Sequence, residues 1–197
     1  VSPPLPQKCR VLVVECNRET LDEISDAIRD NFGVETEGVL IQTLEERPES
    51  APRYLVDKNF VVCGFNHIAE FNRVLPECRL DIIPVLFKPY VRFINELLKL
   101  PPGTKVACSC VNQRSSETFD RHLQFSEGRS LKKVYIGLDQ VQELPELLDD
   151  CDVVFATSYV YDRLRALLGN RKRVVKVDLS IDPQSMELIR EKIQTLS

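Results

Sequence analysis

The sequence predicts an α/β protein built from two doubly wound parallel-sheet lobes in series, with a cleft between them. Short apolar runs such as VLVV at residues 11–14 alternate with segments of helical periodicity along the whole chain. Those runs are continuous rather than alternating, the pattern of strands buried on both faces of a parallel sheet. The break Leu100-Pro101-Pro102-Gly103 falls near mid-chain, and the alternation starts afresh after it.

In order, the first strand is read at Arg10 to Glu15. A helix follows with Leu21, Ile24, Ala27 and Ile28 at helical spacing, stopped by Asn31 to Gly33. Strands are expected at Val34 to Ile41, Asn59 to Cys63 and Leu80 to Leu86. The charged, proline-bearing stretch Glu45 to Ala51 reads as a loop or broken turn, and a short helix follows Gly64-Phe65-Asn66-His67. Lys88-Pro89-Tyr90 reads as a break before a helix at Val91 to Leu98. The second series places strands at Lys105 to Cys110, Lys133 to Ile136, Asp152 to Ala156 and Arg173 to Val177. Helices are expected at Ser115 to Gln124, Val141 to Leu148, Tyr159 to Leu168 and Pro183 to Thr195, the last capped by Asp182. The expected division is a linker at 1–8, one lobe at 9–100 and another at 101–197, with the last helix a candidate to pack back on the first lobe. A single eight-stranded sheet is the alternative.

Of 197 residues, 43% are apolar and 28% charged, the balance of a globular protein with a core. A net charge of -4 argues against this chain gripping a nucleic-acid backbone by itself, because that requires clustered Lys and Arg. Arg171-Lys172-Arg173 reads as a solvated turn. Seven cysteines show no disulfide framework, and several lie in apolar runs, so the usage fits a reducing cytoplasm. Cys108 and Cys110 form a C-x-C without a second pair or nearby His, so neither zinc nor any other cofactor is expected. No run approaches a membrane span and no signal peptide is apparent. The chain opens at Val1 with VSPPLPQ, and its only Met is Met186, so it reads as part of a longer protein behind a linker remnant.

Neither a G-x-G-x-x-G nor a Walker lysine motif is present. VVECN after the first strand and Lys88-Pro89 invite comparison with receiver domains, but the third strand ends in Cys63-Gly64 and supplies no phospho-accepting Asp. A thiol pair, Cys16 and Cys110, would suit racemase chemistry if His67 lowered one thiol pKa; His122 reads as a helix-surface residue. The stronger pattern is recognition. Glu15, Asn17, Asn66 and His67 close strands of the first lobe, and Ser109, Asn112, Ser115, Ser158 and Tyr159 occupy strand–helix junctions of the second. Lys88 or Arg92 at the crossover could neutralise an anion. Taken singly, Ser115 and Ser158 read as helix N-caps; their convergence at strand carboxyl ends points to a ligand site between the lobes.

The segments VLVVECNRETLDEISDAI, VVCGFNHIAEF, LPPGTKVACSCVNQRSSETF, DVVFATSYVYDRLRALL and VDLSIDPQSMELIREKI resemble the C-terminal effector domain of one subgroup of GntR-type bacterial transcription regulators. That resemblance implies a two-lobed fold related to periplasmic binding proteins, and a winged-helix DNA-binding domain on the amino side. The function expected is sensing of a small, anionic effector, with DNA reached only through that other domain, in a cytoplasmic homodimer with no membrane contact. The last helix (Met186, Ile189, Ile193) is a candidate dimer surface, with core packing as its other reading. A small cysteine-dependent isomerase is the alternative function.

Overall fold

The computed structural model describes residues 9–89, 91–118, 130–140 and 144–196. It divides into two compact units: Val1–Leu86 with Ile181–Ser197, and Phe87–Ser180.

The sheet of the first unit is formed by β1 (Arg10–Glu15), β2 (Glu35–Leu40), β3 (Phe60–Gly64) and β4 (Ile82–Val85), all parallel, in the order β2-β1-β3-β4. Residues 11–14 and 60–64 are buried throughout, as their unbroken apolar sequence requires. Helix α1 (Arg18–Phe32) packs on β1 and β2 through Leu21, Ile24 and Ile28. Asn17 starts it by accepting from the Thr20 N–H at 2.9 Å. Gly33 ends it with φ at 66°, a left-handed turn that lets its N–H reach the Arg29 carbonyl. The opposite face of the sheet is covered by α2 (Ile41–Glu46), a 3₁₀ segment at Pro48–Leu55 and α3 (Ile68–Val74), whose Ile41, Leu44, Ala51 and Phe71 pack with Leu12, Val14, Val61 and Cys63.

The second unit repeats the frame. β6 (Lys105–Cys110), β7 (Lys132–Gly137), β8 (Val153–Thr157) and β9 (Arg173–Val177) are parallel in the order β7-β6-β8-β9. One face carries α4 (Val91–Leu98), with Phe93 edge-on to Phe155 at a centroid separation of 5.2 Å. α5 (Gln113–Glu117) follows β6. The other face packs Ala107, Val154 and Ala156 against Leu144 and Leu148 of α6 (Leu144–Asp149) and Val160, Leu164 and Leu168 of α7 (Ser158–Leu168). Helices on both faces make this sheet doubly wound. Helix α8 (Pro183–Thr195), capped by Asp182, returns to the first unit and packs on β4.

Several expectations meet the structure here. The last helix, read as a candidate to pack back on the first lobe, belongs to the first unit, so the second unit is inserted before it. The boundary falls at Leu86/Phe87 instead of Leu100–Thr104, since Phe93, Leu97 and Leu100 bury their apolar stripe against Val106, Val153 and Phe155. The stretch Glu45 to Ala51, read as a loop or broken turn, is the end of α2 and the start of the 3₁₀ segment with a break at Arg47, because Ile41, Leu44 and Ala51 have an apolar face to bury. Lys88-Pro89 forms a short strand, β5 (Phe87–Pro89), paired with β10 (Leu179–Ile181) where the chain passes between units. In the α8 stripe Ile189 is fully buried and Met186 and Ile193 are half-buried, which fits the core-packing reading of this stripe. The expected helix over 115–124 is seen only at its start, and 119–124, with His122, lie outside the described residues, as do 141–143.

Candidate functional site

Strand order β2-β1-β3-β4 reverses direction between β1 and β3, and ligands of open parallel sheets bind at the carboxyl ends of strands at such a switch. The side chains gathered there in the first unit are polar and buried. Glu15, the last residue of β1, is 5% exposed. Its Oε2 accepts from the Cys16 N–H at 2.9 Å and lies 3.5 Å from His67 Nε2. His67, 3% exposed, comes from the 3₁₀ turn after β3, and its Nδ1 pairs with Glu70 Oε2 at 2.6 Å. Asn17 Nδ2 lies 3.7 Å from Cys16 Sγ, and Gln42 of α2 donates to the Cys16 carbonyl at 2.6 Å.

Register explains the convergence. Val14 pairs with Cys63, which sets Glu15 opposite Gly64, and only a glycine leaves room for the carboxylate: a Cβ there would meet Glu15 Oε1 at 1.9 Å. Burial pushes the Glu15 carboxyl above the usual carboxylate range, while His67 and the Cys16 N–H pull it back. Burial, reinforced by the charges of Glu15 and Glu70, pushes the Cys63 thiol far above the ordinary thiol value. Glu15, Cys16 and His67 each offer a ligand atom, all within 4.8 Å of one another, a group among the described residues that could hold a metal.

The second unit places different chemistry on the same frame. Ser109 pairs with Ala156, which sets Cys110 opposite Thr157 as Glu15 stands opposite Gly64. There the Thr157 hydroxyl donates to Cys110 Sγ at 3.5 Å. Asn112, two residues past the strand like Asn17, caps α5 by accepting from the Ser115 N–H at 2.8 Å. Ser115 and Ser158 are therefore not the caps: Ser115 lies inside α5, and Ser158 is exposed on the first turn of α7 after Thr157. Ser116 ties the strand ends together, donating to the Ile136 carbonyl at 2.7 Å and accepting from the Cys110 N–H. Ser109 Oγ is buried without a hydrogen-bond partner.

Of the residues read from sequence, Glu15, Asn17 and His67 come together in the first unit, with Asn66 half-buried beside them. In the second unit Ser109 lies in β6 next to its last residue, Asn112 and Ser115 follow that strand, and Ser158 and Tyr159 follow its neighbour, the latter two exposed. Lys88 is exposed on β5, and the Arg92 side chain lies outside the described residues. Cys108 and Cys110 face an apolar cluster with Val106 and Phe155, which accounts for the C-x-C as core. Glu70 and Gln42 were not among the expected residues. Glu70 had a signal, since His67 and Glu70 stand three apart at the start of a helix; Gln42 had none, because its segment is a neighbour of Cys16 only in the tertiary structure. Surface depressions of about 440 Å³ (Leu100–Thr104, Asp152, Val153, Arg173) and 260 Å³ (Arg10, Val11, Glu35–Glu37, Lys58) lie at the amino ends of the strands, away from these groups.

This geometry can be set beside known proteins. The profile of the YmtS Rossmann-like domain family matches residues 107–197. No curated protein matches the chain. Among solved structures, an ABC transporter solute-binding protein from Mycobacterium smegmatis with bound glycerol is similar over 84% of this chain and 72% of its own, at 12% identity and a TM-score of 0.52. A putative two-component response regulator/GGDEF domain protein matches over 96% and 99% at 11% identity, with a TM-score of 0.32. D-lactate dehydrogenase from Escherichia coli matches over 92% and 80% at 12% identity, with a TM-score of 0.29. At this identity the first likeness establishes the fold: two parallel-sheet α/β units of the solute-binding-protein kind.

Proposed function

We propose that this chain is the effector-sensing domain of a cytoplasmic transcription regulator, binding a small anionic metabolite without transforming it. The observation that carries the reading is the set of buried polar side chains, Glu15, Asn17 and His67, at the strand-order switch of the first unit. These groups already have protein partners, Glu15 in the Cys16 N–H, Asn17 in the Thr20 N–H and His67 in Glu70, and it is their place that points to a ligand, because a strand end at a switch point is where open sheets take ligands. The first turn of α1 beside this edge favours a carboxylate or phosphate, while Glu15 suits an amine or hydroxyl on the same molecule. The solute-binding-protein fold supports the reading, since the solved relative holds glycerol.

A regulator of this kind acts on DNA through a separate winged-helix domain and works as a dimer, because paired recognition helices match two half-sites. The Cys16/Cys110 isomerase is disfavoured because Cys110 packs within an apolar cluster. No described helix is long and apolar enough to cross a membrane.

Thermal-shift screening of small carboxylates, amino acids and phosphates, followed by titration calorimetry, tests the reading. A stabilising compound should bind wild type and lose affinity in Glu15→Gln and Asn17→Ser variants. Failure of every class to bind, or turnover of the bound compound, would overturn it. The isolated chain should give no sequence-dependent gel shift, and the full-length protein should sediment as a dimer.

A further inference from the structure

The same frame is built twice, and comparing the copies shows what folding itself demands. In the second unit Cys110 and Val111 occupy the positions of Glu15 and Cys16, Thr157 that of Gly64, and Val160 that of His67. Val160 is as deeply buried as His67, at 1% against 3% exposed. The parallel frame therefore closes with an apolar residue where the first unit places an imidazole, and with a Cys–Thr contact where it places a carboxylate against a glycine. The buried acid, thiol and imidazole of the first unit need a reason other than folding.

We propose that Glu15, Cys16 and His67 are the three protein ligands of a divalent metal site of the zinc type. Three observations fit together. The donor set is mixed oxygen, sulfur and nitrogen, which suits Zn²⁺ and not the oxygen-seeking Mg²⁺ or Ca²⁺. The spacing fits: Glu15 Oε2 and His67 Nε2 are 3.5 Å apart, against about 3.4 Å for two ligands on one tetrahedral zinc at bond lengths near 2.1 Å, and Cys16 Sγ completes a group spanning no more than 4.8 Å. The imidazole is already set for coordination through Nε2, because Nδ1 is held by Glu70 at 2.6 Å, the carboxylate–histidine–metal arrangement that fixes tautomer and ring orientation.

Charge and protons balance at such a site. Zn²⁺ binds the Glu15 carboxylate and the Cys16 thiolate, the thiol proton passes to solvent, and the buried group becomes neutral as a whole. Three protein ligands leave one tetrahedral position open, the arrangement of sites that bind an exogenous oxygen or water. The metal site shares Glu15 and His67 with the effector site proposed above, so an effector there would meet the metal, whose open position offers a small anion a direct bond; the cobalt readout tests metal binding without any effector.

Cobalt(II) serves as the probe, added to the whole chain after treatment with a chelator. One equivalent is expected to give a thiolate-to-cobalt charge-transfer band in the near ultraviolet, bleached by Zn²⁺. X-ray absorption of the zinc form should show a single sulfur at about 2.3 Å with nitrogen and oxygen neighbours. Cys16→Ser should abolish the band while Cys78→Ser preserves it, and Glu70→Gln should weaken metal binding roughly 10- to 100-fold with an unchanged far-ultraviolet circular dichroism spectrum. Should Cys16→Ser fail to fold, the Glu70→Gln affinity and the wild-type sulfur count decide. No charge-transfer band in the wild type, a band that survives in folded Cys16→Ser, or equal affinity in Glu70→Gln would each overturn the proposal.

Discussion

Gly64→Ala isolates the contact that seats the buried carboxylate. The Gly64 backbone, at φ -51° and ψ 130°, is open to alanine, so the cost is one of contact alone. The new Cβ would lie 1.9 Å from Glu15 Oε1, 2.8 Å from its Cδ and 3.3 Å from His67 Cδ2. Ordinary heavy-atom separation is about 3.5 Å, so the carboxylate must withdraw by roughly 1.5 Å. Withdrawal gives up the 2.9 Å bond from the Cys16 N–H. Overpacking costs about 1–3 kcal/mol and a hydrogen bond to a charged group contributes about 1.5–3 kcal/mol. Because the two overlap, the expected loss is about 3 kcal/mol. In a Glu15→Ala background the obstacle is gone and only the His67 contact remains, so the same change should cost less than about 1 kcal/mol. The coupling energy of the cycle is then about 2 kcal/mol. Urea unfolding followed by far-ultraviolet circular dichroism measures it, the chain having no Trp. Equal costs of Gly64→Ala in both backgrounds, or no cost in the wild type, would refute the reasoning.

Phe155→Ala removes the ring that meets Phe93 edge-on in the second core and should cost about 3–5 kcal/mol by urea unfolding. Asn112→Ala should cost about 1 kcal/mol through the lost cap of α5, and Asn112→Ser should remain near wild type; equal losses would show that Asn112 is not acting as a cap. Cys63 is buried with its thiol pushed far up, so in the native protein iodoacetamide should modify half-buried Cys78 well before Cys63, as read by peptide mass mapping. Glu96, drawn down by the Lys99 hydrogen bond and then by the charges of Lys99 and Arg173, should titrate below an ordinary glutamate in carbon NMR; its contribution to stability is present above the unfolded value and lost as pH falls through the folded one.

What sequence alone determined here was what local pattern can carry. The strands at 10–15 and 105–110 took those bounds because each carries a continuous apolar stretch buried on both faces, and 173–177, an edge strand exposed at Arg173 and Lys176, was marked by its β-branched Val174, Val175 and Val177. Asp182-Pro183 and Asn31 to Gly33 marked helix ends, because caps and left-handed turns are local events. Repeated β/α alternation suggested parallel sheets with sites at strand ends, while the reversal of strand order that gives those ends their value is read from the folded sheets.

Tertiary structure decided the rest. Whether Val91–Leu98 serves the first core or the second depends on which sheet has an uncovered apolar face, and Phe93 settles on Phe155. That Ser115 is not a cap while Asn112 is one depends on where α5 begins, a shift of two residues that helix periodicity does not fix. The same holds for the site. Glu15 and His67 were each visible as polar residues at a strand end, but their 3.5 Å approach needs β1 and β3 to be neighbours in register, with Gly64 leaving the space between them. Pairing between distant strands is long-range, so the sequence names the donors, and only the register of the folded sheet brings an acid, a thiol and an imidazole around one point.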